Sequence, residues 1–431
     1  MKDPVKYASK LDFSRRPASE PEIGPTQLTL NEWAALGLEV PDLGAMREYR
    51  LSRIVSELVD RDLGGLLCFD PLNIRYITDC SNMQLWITHN PVRAVFVAAS
   101  GYVILWDFHG CAHLSAHLPL VREVRSGAGA LVFDYGEGTE GPARRFATEV
   151  AEVLRAHSGM NRRLAVDRAD GVVLFALQAQ GLEIAEGQIV TEMAREIKSA
   201  DEIRAIRCAI AACDASVAEM HAALQPGMSE NELWSYLHAG NIKRGGEWIE
   251  TRLLSSGPRT NPWYQECGSR IIRDGDLVAF DTDLIGCYGY CVDYSRTWFV
   301  GNGKASDEQR QLYAIAFDHI QQNGSLMLPG RSLREVTDAS NRLPEAYRAQ
   351  RYSALAHGVG LCDEYPCIRY PEDVEALGCD DVLRPGQVFS VEAYVGAEGA
   401  SQGIKLEDML LITETGNELL THYPFDAQLS A

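Results

Sequence analysis

Between Phe280 and Trp298 the chain reads FDTDLIGCYGYCVDYSRTW, the composition of two strands joined by a glycine-containing turn. Three carboxylates, Asp281, Asp283 and Asp293, interrupt residues that otherwise want a core. Successive side chains on a strand alternate faces, so Asp281 and Asp283 share one face. With the turn centred near Cys287, inside the Gly286–Gly289 stretch, Asp293 falls opposite Asp281 and on that same face. Directly opposed β-carbons lie about 4.5–5.5 Å apart. Carboxylates that close repel and raise one another's pKa. A divalent cation removes the conflict, so the stretch predicts a metal-holding hairpin.

Three more residues fit the same site. His357 ends the apolar run SALAH and precedes the glycines of HGVGLC. Glu392 interrupts VFSVEAYV, and Glu407 interrupts IKLEDMLLI. A glutamate in a buried strand is costly unless it is paired or bound to metal. One histidine among several carboxylates, with no thiolate, describes a hard, oxygen-rich site for two first-row metals.

Around this site the chain divides. Its 431 residues are too many for one small core. Residues 1–42 are polar and contain prolines, and are expected to form an irregular arm lying on the fold. From 43 to 190, apolar strands such as GLLCFD and RLAVD alternate with amphipathic helices such as RRFATEVAEVLRAH, an α/β pattern. From 191 to 431 a long helix over KSADEIRAIRCAIAACDASVAEMHAAL precedes strand-rich segments with helices between them, an α+β pattern. Ser229 with Glu232, and Ser306 with Gln309, have the spacing of capping boxes. The formal net charge of -20 opposes binding to phosphate backbones, so no nucleic-acid partner is expected. No run approaches the roughly 18 apolar residues of a membrane span. The start, MKDPVKYASKLDFSRRP, lacks the apolar segment of a secretory signal. The eleven scattered cysteines read as reduced thiols, and a cytoplasmic protein is expected.

The order Asp–Asp–His–Glu–Glu resembles the creatinase/methionine-aminopeptidase ("pita-bread") family. DPLNIRYITD is similar to the family's N-terminal domain, and KSADEIRAIR, GYCVDYSRTWFVG, HGVGLC and KLED are similar to its catalytic half. The resemblance implies a creatinase-like α/β domain followed by an α+β pita-bread domain, a dinuclear metal site and a homodimer. Two departures matter. Trp263, in NPWYQE, stands where the family's peptidases carry a histidine, and Asp363 precedes Glu364 where they carry a second one. Those histidines handle the amide and its tetrahedral intermediate, and without them peptide hydrolysis loses its proton shuttle. The first strand also carries two aspartates, twelve and ten residues before Asp293.

This altered set, with DTDLIG, NMQLWITHNP and IKRGGEWIETRLLSSGPRTNPW, resembles the DddP-type dimethylsulfoniopropionate lyases. They are peptidase-fold enzymes that split a sulfonium zwitterion into dimethyl sulfide and acrylate. The resemblance implies six metal ligands, Asp281, Asp283, Asp293, His357, Glu392 and Glu407. It implies Asp363 as catalytic base and Trp86 and Tyr352 as substrate-pocket aromatics; a sulfonium cation wants aromatic faces, and Trp263, Tyr264 and Tyr365 are further candidates to supply them. Iron is the metal it implies, with zinc, manganese, nickel and copper as alternatives. Two rival readings stand beside it: a dinuclear-metal Xaa-Pro peptidase or creatinase-like hydrolase, and a non-catalytic binding protein of the same fold.

Overall fold

A computed structural model describes residues 24–430. They fall into two units, residues 42–195 and residues 24–41 together with 196–430. Most of the expected arm, residues 1–23, lies outside the described residues. The remainder is not irregular. Gln27–Ala35 is a helix opened by Thr26, whose hydroxyl accepts from the Thr29 amide. Trp33 anchors it, buried against Cys208 and Cys287 of the second unit. Leu28 and Leu30 stay exposed, so the buried face rests on Trp33 and Thr29 rather than on an apolar stripe that the sequence would display.

The first unit is a six-stranded mixed sheet. Its strands are β1 (Gly65–Cys68), β2 (Ala94–Ala98), β3 (Val103–Asp107), β4 (Val121–Ser126), β5 (Arg163–Val166) and β6 (Glu183–Glu186), ordered β4-β3-β2-β1-β5-β6. β2 and β3 form a hairpin turning at Ser100-Gly101, with Val97 opposite Val103 and Gly101 at φ 82°. The helix Glu140–Ser158 buries Ala143, Phe146, Ala147, Val150 and Leu154 at helical spacing in the same core as Phe96 and Trp106. In DPLNIRYITD, Asp70 caps the helix Pro71–Thr78 and Asp79 closes it at φ 63°. The buried Asp79 carboxylate lies 2.6 Å from Arg47, 3.0 Å from Arg75 and 3.8 Å from Arg50.

In the second unit the helix Ala200–Ala223 starts with a complete Ser199–Glu202 capping box, and Asp307–Leu326 with the expected Ser306–Gln309 box. Ser229 caps the helix Glu230–Lys243. The strands are β7 (Trp248–Ile249), β8 (Leu254–Ser256), β9 (Leu277–Asp281), β10 (Leu284–Ile285), β11 (Cys291–Val292), β12 (Ser295–Phe299), β13 (Ala356–Val359), β14 (Asp363–Ile368), β15 (Val388–Val395), β16 (Ile404–Ile412) and β17 (Asn417–Leu419). They form sheets ordered β11-β10-β7, β12-β9-β8 and β14-β13-β15-β16-β17. Alternation along β15 and β16 decides where the site lies. Phe389, Val391, Ala393, Val395, Ile404, Leu406, Leu410 and Ile412 share a core with Leu312, Tyr313, Ala316 and Ile320 of the Asp307–Leu326 helix. That leaves Glu392, Lys405 and Glu407 on the opposite face. β12 lies beside β16 on that side, where Thr297 donates to the Lys405 carbonyl (2.8 Å) and Arg296 to the Glu407 carbonyl (2.7 Å). Among the described residues no helix is long and apolar enough to cross a membrane.

Candidate metal centre and active site

The hairpin exists, but its turn is centred one residue later than expected. β10 and β11 pair Leu284 with Val292 and Ile285 with Cys291, and Ser295 stands opposite Asp281. The turn pivots on Tyr288 (φ 66°) followed by Gly289 (φ 78°), not on Cys287. Moving the centre by one residue moves every partner by two, so facing is conserved although the partner of Asp281 changes. The strand alternation expected to align Asp281 with Asp283 breaks at Asp283, whose φ is 36°. Thr282 bridges the gap: its hydroxyl donates to the Val292 carbonyl (2.8 Å) and accepts from the Tyr294 amide (3.0 Å). Asp283 instead accepts from Thr251 Oγ1 at 2.5 Å.

The other candidates come from the large sheet. Glu392 and Glu407 are directly opposed across β15 and β16, both buried. His357 enters from β13, where the ladder shifts between His357 and Gly358. A β-carbon on Gly358 would meet the Tyr365 carbonyl at 2.6 Å, so glycine is required for this approach of β13 to β14. His357 Nε2 lies 3.4 Å from Asp293 Oδ2, 3.4 Å from Glu392 Oε1 and 3.7 Å from Glu407 Oε1. Ligand atoms of Asp281, Asp293 and Glu407 lie within 4.8 Å of one another; so do those of His357, Glu392 and Glu407, and those of Asp293, His357 and Asp363. Asp283 is outside these three groups but close enough that Asp281, after burial, is the main cause raising its carboxyl pKa.

Lys405 is the residue that sequence reasoning missed. Its ammonium is fully buried, 2.8 Å from Glu407 Oε2, 2.9 Å from Glu392 Oε2 and 3.2 Å from Asp281 Oδ2, and it donates to Ser295 Oγ at 2.9 Å. Two residues before Glu407 in IKLEDMLLI, it shares the glutamate's face, and that alternation was the available signal. The charges explain the directions of titration. Burial would drive the Lys405 ammonium down, but Asp281, Glu392 and Glu407 hold it well above its ordinary value. Burial raises Asp281, but the charge of Lys405 and hydrogen bonds from Ser295, Glu407 and Lys405 together outweigh it, leaving the carboxyl lowered. Asp293 and Glu407 are pushed well up, first by burial, then by their neighbouring carboxylates. For His357, burial is outweighed by Glu392 and Glu407, which favour its protonated form.

These donors fit divalent metal. Glu392 Oε1 and Glu407 Oε1 are buried and accept no hydrogen bond, a costly state for a carboxylate oxygen. The five carboxylates of Asp281, Asp283, Asp293, Glu392 and Glu407 face one ammonium. With all five ionised, four negative charges among the described residues are left unanswered by Lys405, the charge of two divalent cations, whose binding would also leave His357 neutral as the nitrogen donor.

Asp363 opens β14 at the edge of this cluster, its Oδ1 3.8 Å from His357 Nδ1 and its side chain 64% exposed. Aromatic faces line the cation. The Lys405 ammonium is 4.6 Å from the Tyr352 ring and 5.8 Å from that of Trp263. Trp263 is buried against Tyr394, and Tyr264 leans on Tyr352 at 5.3 Å. Trp86 belongs to the first unit, where it packs on Phe108 (5.5 Å) and Phe133 (6.5 Å).

Comparisons with known proteins bear on this geometry. Residues 204–414 match the model of metallopeptidase family M24. The chain is similar in fold to the Xaa-Pro dipeptidase of Bacillus anthracis (TM-score 0.70, 21% identity, 88% of this chain and 98% of that one). It is also similar to an X-Pro aminopeptidase of Thermotoga maritima (TM-score 0.71, 18% identity, 88% and 99%). It is 52% identical to the dimethylsulfoniopropionate lyase DddP of Roseovarius nubinhibens, over 99% of this chain and 97% of that protein. It is 47% identical to the dimethylsulfoniopropionate lyase DddP of Roseobacter denitrificans over the same shares. Full-length identity of that order, on a pita-bread fold with its carboxylates gathered, decides the matter: the chain belongs to the DddP family of dimethylsulfoniopropionate lyases.

Proposed function

We propose that this protein cleaves dimethylsulfoniopropionate to dimethyl sulfide and acrylate by β-elimination at the carboxylate cluster. The observation that carries the reading is Asp363, a carboxylate rather than a histidine, at the edge of that cluster and beside His357. Asp281, Asp283, Asp293, His357, Glu392 and Glu407 would hold two divalent metals, with iron the metal the resemblance implies. Such metals would supply Lewis-acid chemistry, drawing electrons from the substrate carboxylate and so acidifying its α-proton. Asp363 removes the α-proton. The freed electron pair forms the carbon–carbon double bond as the β-carbon–sulfur bond breaks, and dimethyl sulfide leaves with the sulfur electron pair. No nucleophile or activated water is needed. Tyr352 and Trp263 present ring faces to the sulfonium, each worth about 0.5–2 kcal/mol according to desolvation. Trp86, in the first unit, is a further substrate-binding aromatic proposed from the resemblance.

Asp363→Asn keeps shape while removing the basic oxygen. It should retain its metal and lose about 10²–10⁴-fold in headspace dimethyl sulfide release. Near-normal release would show that another group is the base. An Xaa-Pro dipeptide serves as the control substrate, and hydrolysis of it at a comparable rate would favour the peptidase reading. The protein is further proposed to be a cytoplasmic homodimer; sedimentation as a fully active monomer would refute the dimer.

A further inference from the structure

Next to Asp363 in sequence, Glu364 points the other way. Strand alternation puts Asp363 on the exposed face of β14 and Glu364 in the interior. The Glu364 carboxylate meets Lys198 Nζ at 3.0 Å, with the two side chains 0% and 3% exposed. Its other oxygen, Oε1, accepts from the Leu361 amide at 2.9 Å. The turn between β13 and β14 therefore folds directly over this carboxylate. A β-carbon on Gly360 would fall 2.3 Å from Glu364 Oε2, so any larger residue there would displace the carboxylate from its place against Lys198. The Gly360 carbonyl in turn accepts from the Cys291 amide at 2.8 Å, tying the turn to β11. Lys198 is itself fixed: its amide donates to the Gly386 carbonyl (2.9 Å), and the next residue, Ser199, caps the helix Ala200–Ala223.

We propose that the Lys198–Glu364 ion pair is a positioning device for Asp363, anchoring the turn that aims its carboxylate at the substrate. The proposal rests on the reading of Asp363 as the general base. Catalytic groups act only within narrow geometric limits, and a shift of about 1 Å can cost about 10²-fold. A buried pair on the far side of the strand supplies that restraint without touching substrate.

Charge arithmetic separates positioning from simple stabilisation. Removing one member of a buried pair strands the other's charge, whereas neutralising both by residues of similar shape is often tolerated. Glu364→Gln alone should therefore lower the melting midpoint by about 5 °C or more. The double variant Lys198→Met/Glu364→Gln should recover to within about 3 °C of the parent, by the same reasoning. Its kcat should nonetheless stay about 10–100-fold low, with KM within about twofold and full metal content. Return of kcat together with the melting midpoint would mean that the pair only stabilises the fold, and loss of metal would mean that it supports the metal cluster instead; either overturns the proposal. Adding Asp363→Asn to the double variant tests the route. With Asp363 already disabled, loosening its turn should cost under about twofold more. A further tenfold loss would show that the pair acts elsewhere. Near-normal turnover by Asp363→Asn alone would instead overturn the base assignment, a separate result. Should the double variant not fold, Lys198→Arg keeps the charge but changes its reach. A lowered kcat at unchanged KM and metal content then supports the proposal, and an unchanged kcat refutes it.

Discussion

Lys405→Met is the most informative single substitution in the metal centre. It keeps the length and apolar stem of the side chain and removes one fully buried ammonium from among Asp281, Glu392 and Glu407. Removing one partner from a buried ion pair costs about 3–5 kcal/mol. For a unit of this size each kcal/mol moves the melting midpoint by about 2–4 °C, so chelator-stripped protein should melt about 6–20 °C lower. Metal changes the result in a defined direction. Lys405 and a divalent cation have the same sign and share the same carboxylates, so each weakens the other's hold. At about 5 Å, with an effective dielectric near 20, a single and a double charge repel by several kcal/mol before the carboxylates screen them. Saturating metal should thus raise the midpoint of the variant by more degrees than it raises the parent's. The assay is a pair of melting curves, stripped and metal-loaded, for each protein at pH 7.5. Equal midpoints for the two stripped proteins, or a smaller metal-dependent rise in the variant, would falsify the view that Lys405 is the cluster's internal counter-charge.

The remaining expectations are simpler. Asp293→Ala should lose bound metal and activity together, measured by metal analysis beside headspace assay; full metal content in an inactive variant would mean that Asp293 is not a ligand. Tyr352→Leu should raise KM about 2–30-fold by removing a ring face from the sulfonium, while Tyr352→Phe should stay near the parent; equal KM for all three would remove Tyr352 from the pocket. Asp79→Asn in the first unit should lower the melting midpoint by about 6 °C or more, because Arg47, Arg50 and Arg75 lose their shared anion. Burial alone would raise the Asp79 pKa, but Arg75, Arg50 and Arg47 outweigh it and hold the folded value below the ordinary one. Its stabilisation is therefore present above the unfolded value near 3.9 and lost as pH falls through the folded value. The gap between parent and Asp79→Asn should close on acidification below about pH 4, and a gap that persists there would rule out the charge as its cause.

How much of this was legible beforehand follows from range of interaction. Asp281, Asp293, Glu392 and Glu407 could be picked out because a carboxylate inside an apolar strand is costly without a partner, and the cost is visible locally. Strand existence and the two-residue alternation are equally local, which is why the facing of Asp293 survived an error in the turn centre. The turn itself was decided by backbone conformation, with Tyr288 in the left-handed region, a state that composition does not announce. Lys405 escaped notice because alternation shows that it shares the face of Glu407 but not that β12 covers that face of β16 and closes off water. The helix Gln27–Ala35 was missed for a related reason: its stability comes from Trp33 meeting Cys208 and Cys287, far along the chain. The residue types of the chemistry are thus determined by sequence, through the local cost of burying charge. Which charge faces which, Glu392 against Glu407 and Lys405 between them, was decided only when distant strands packed side by side and the surviving charges had to be answered within one dry space.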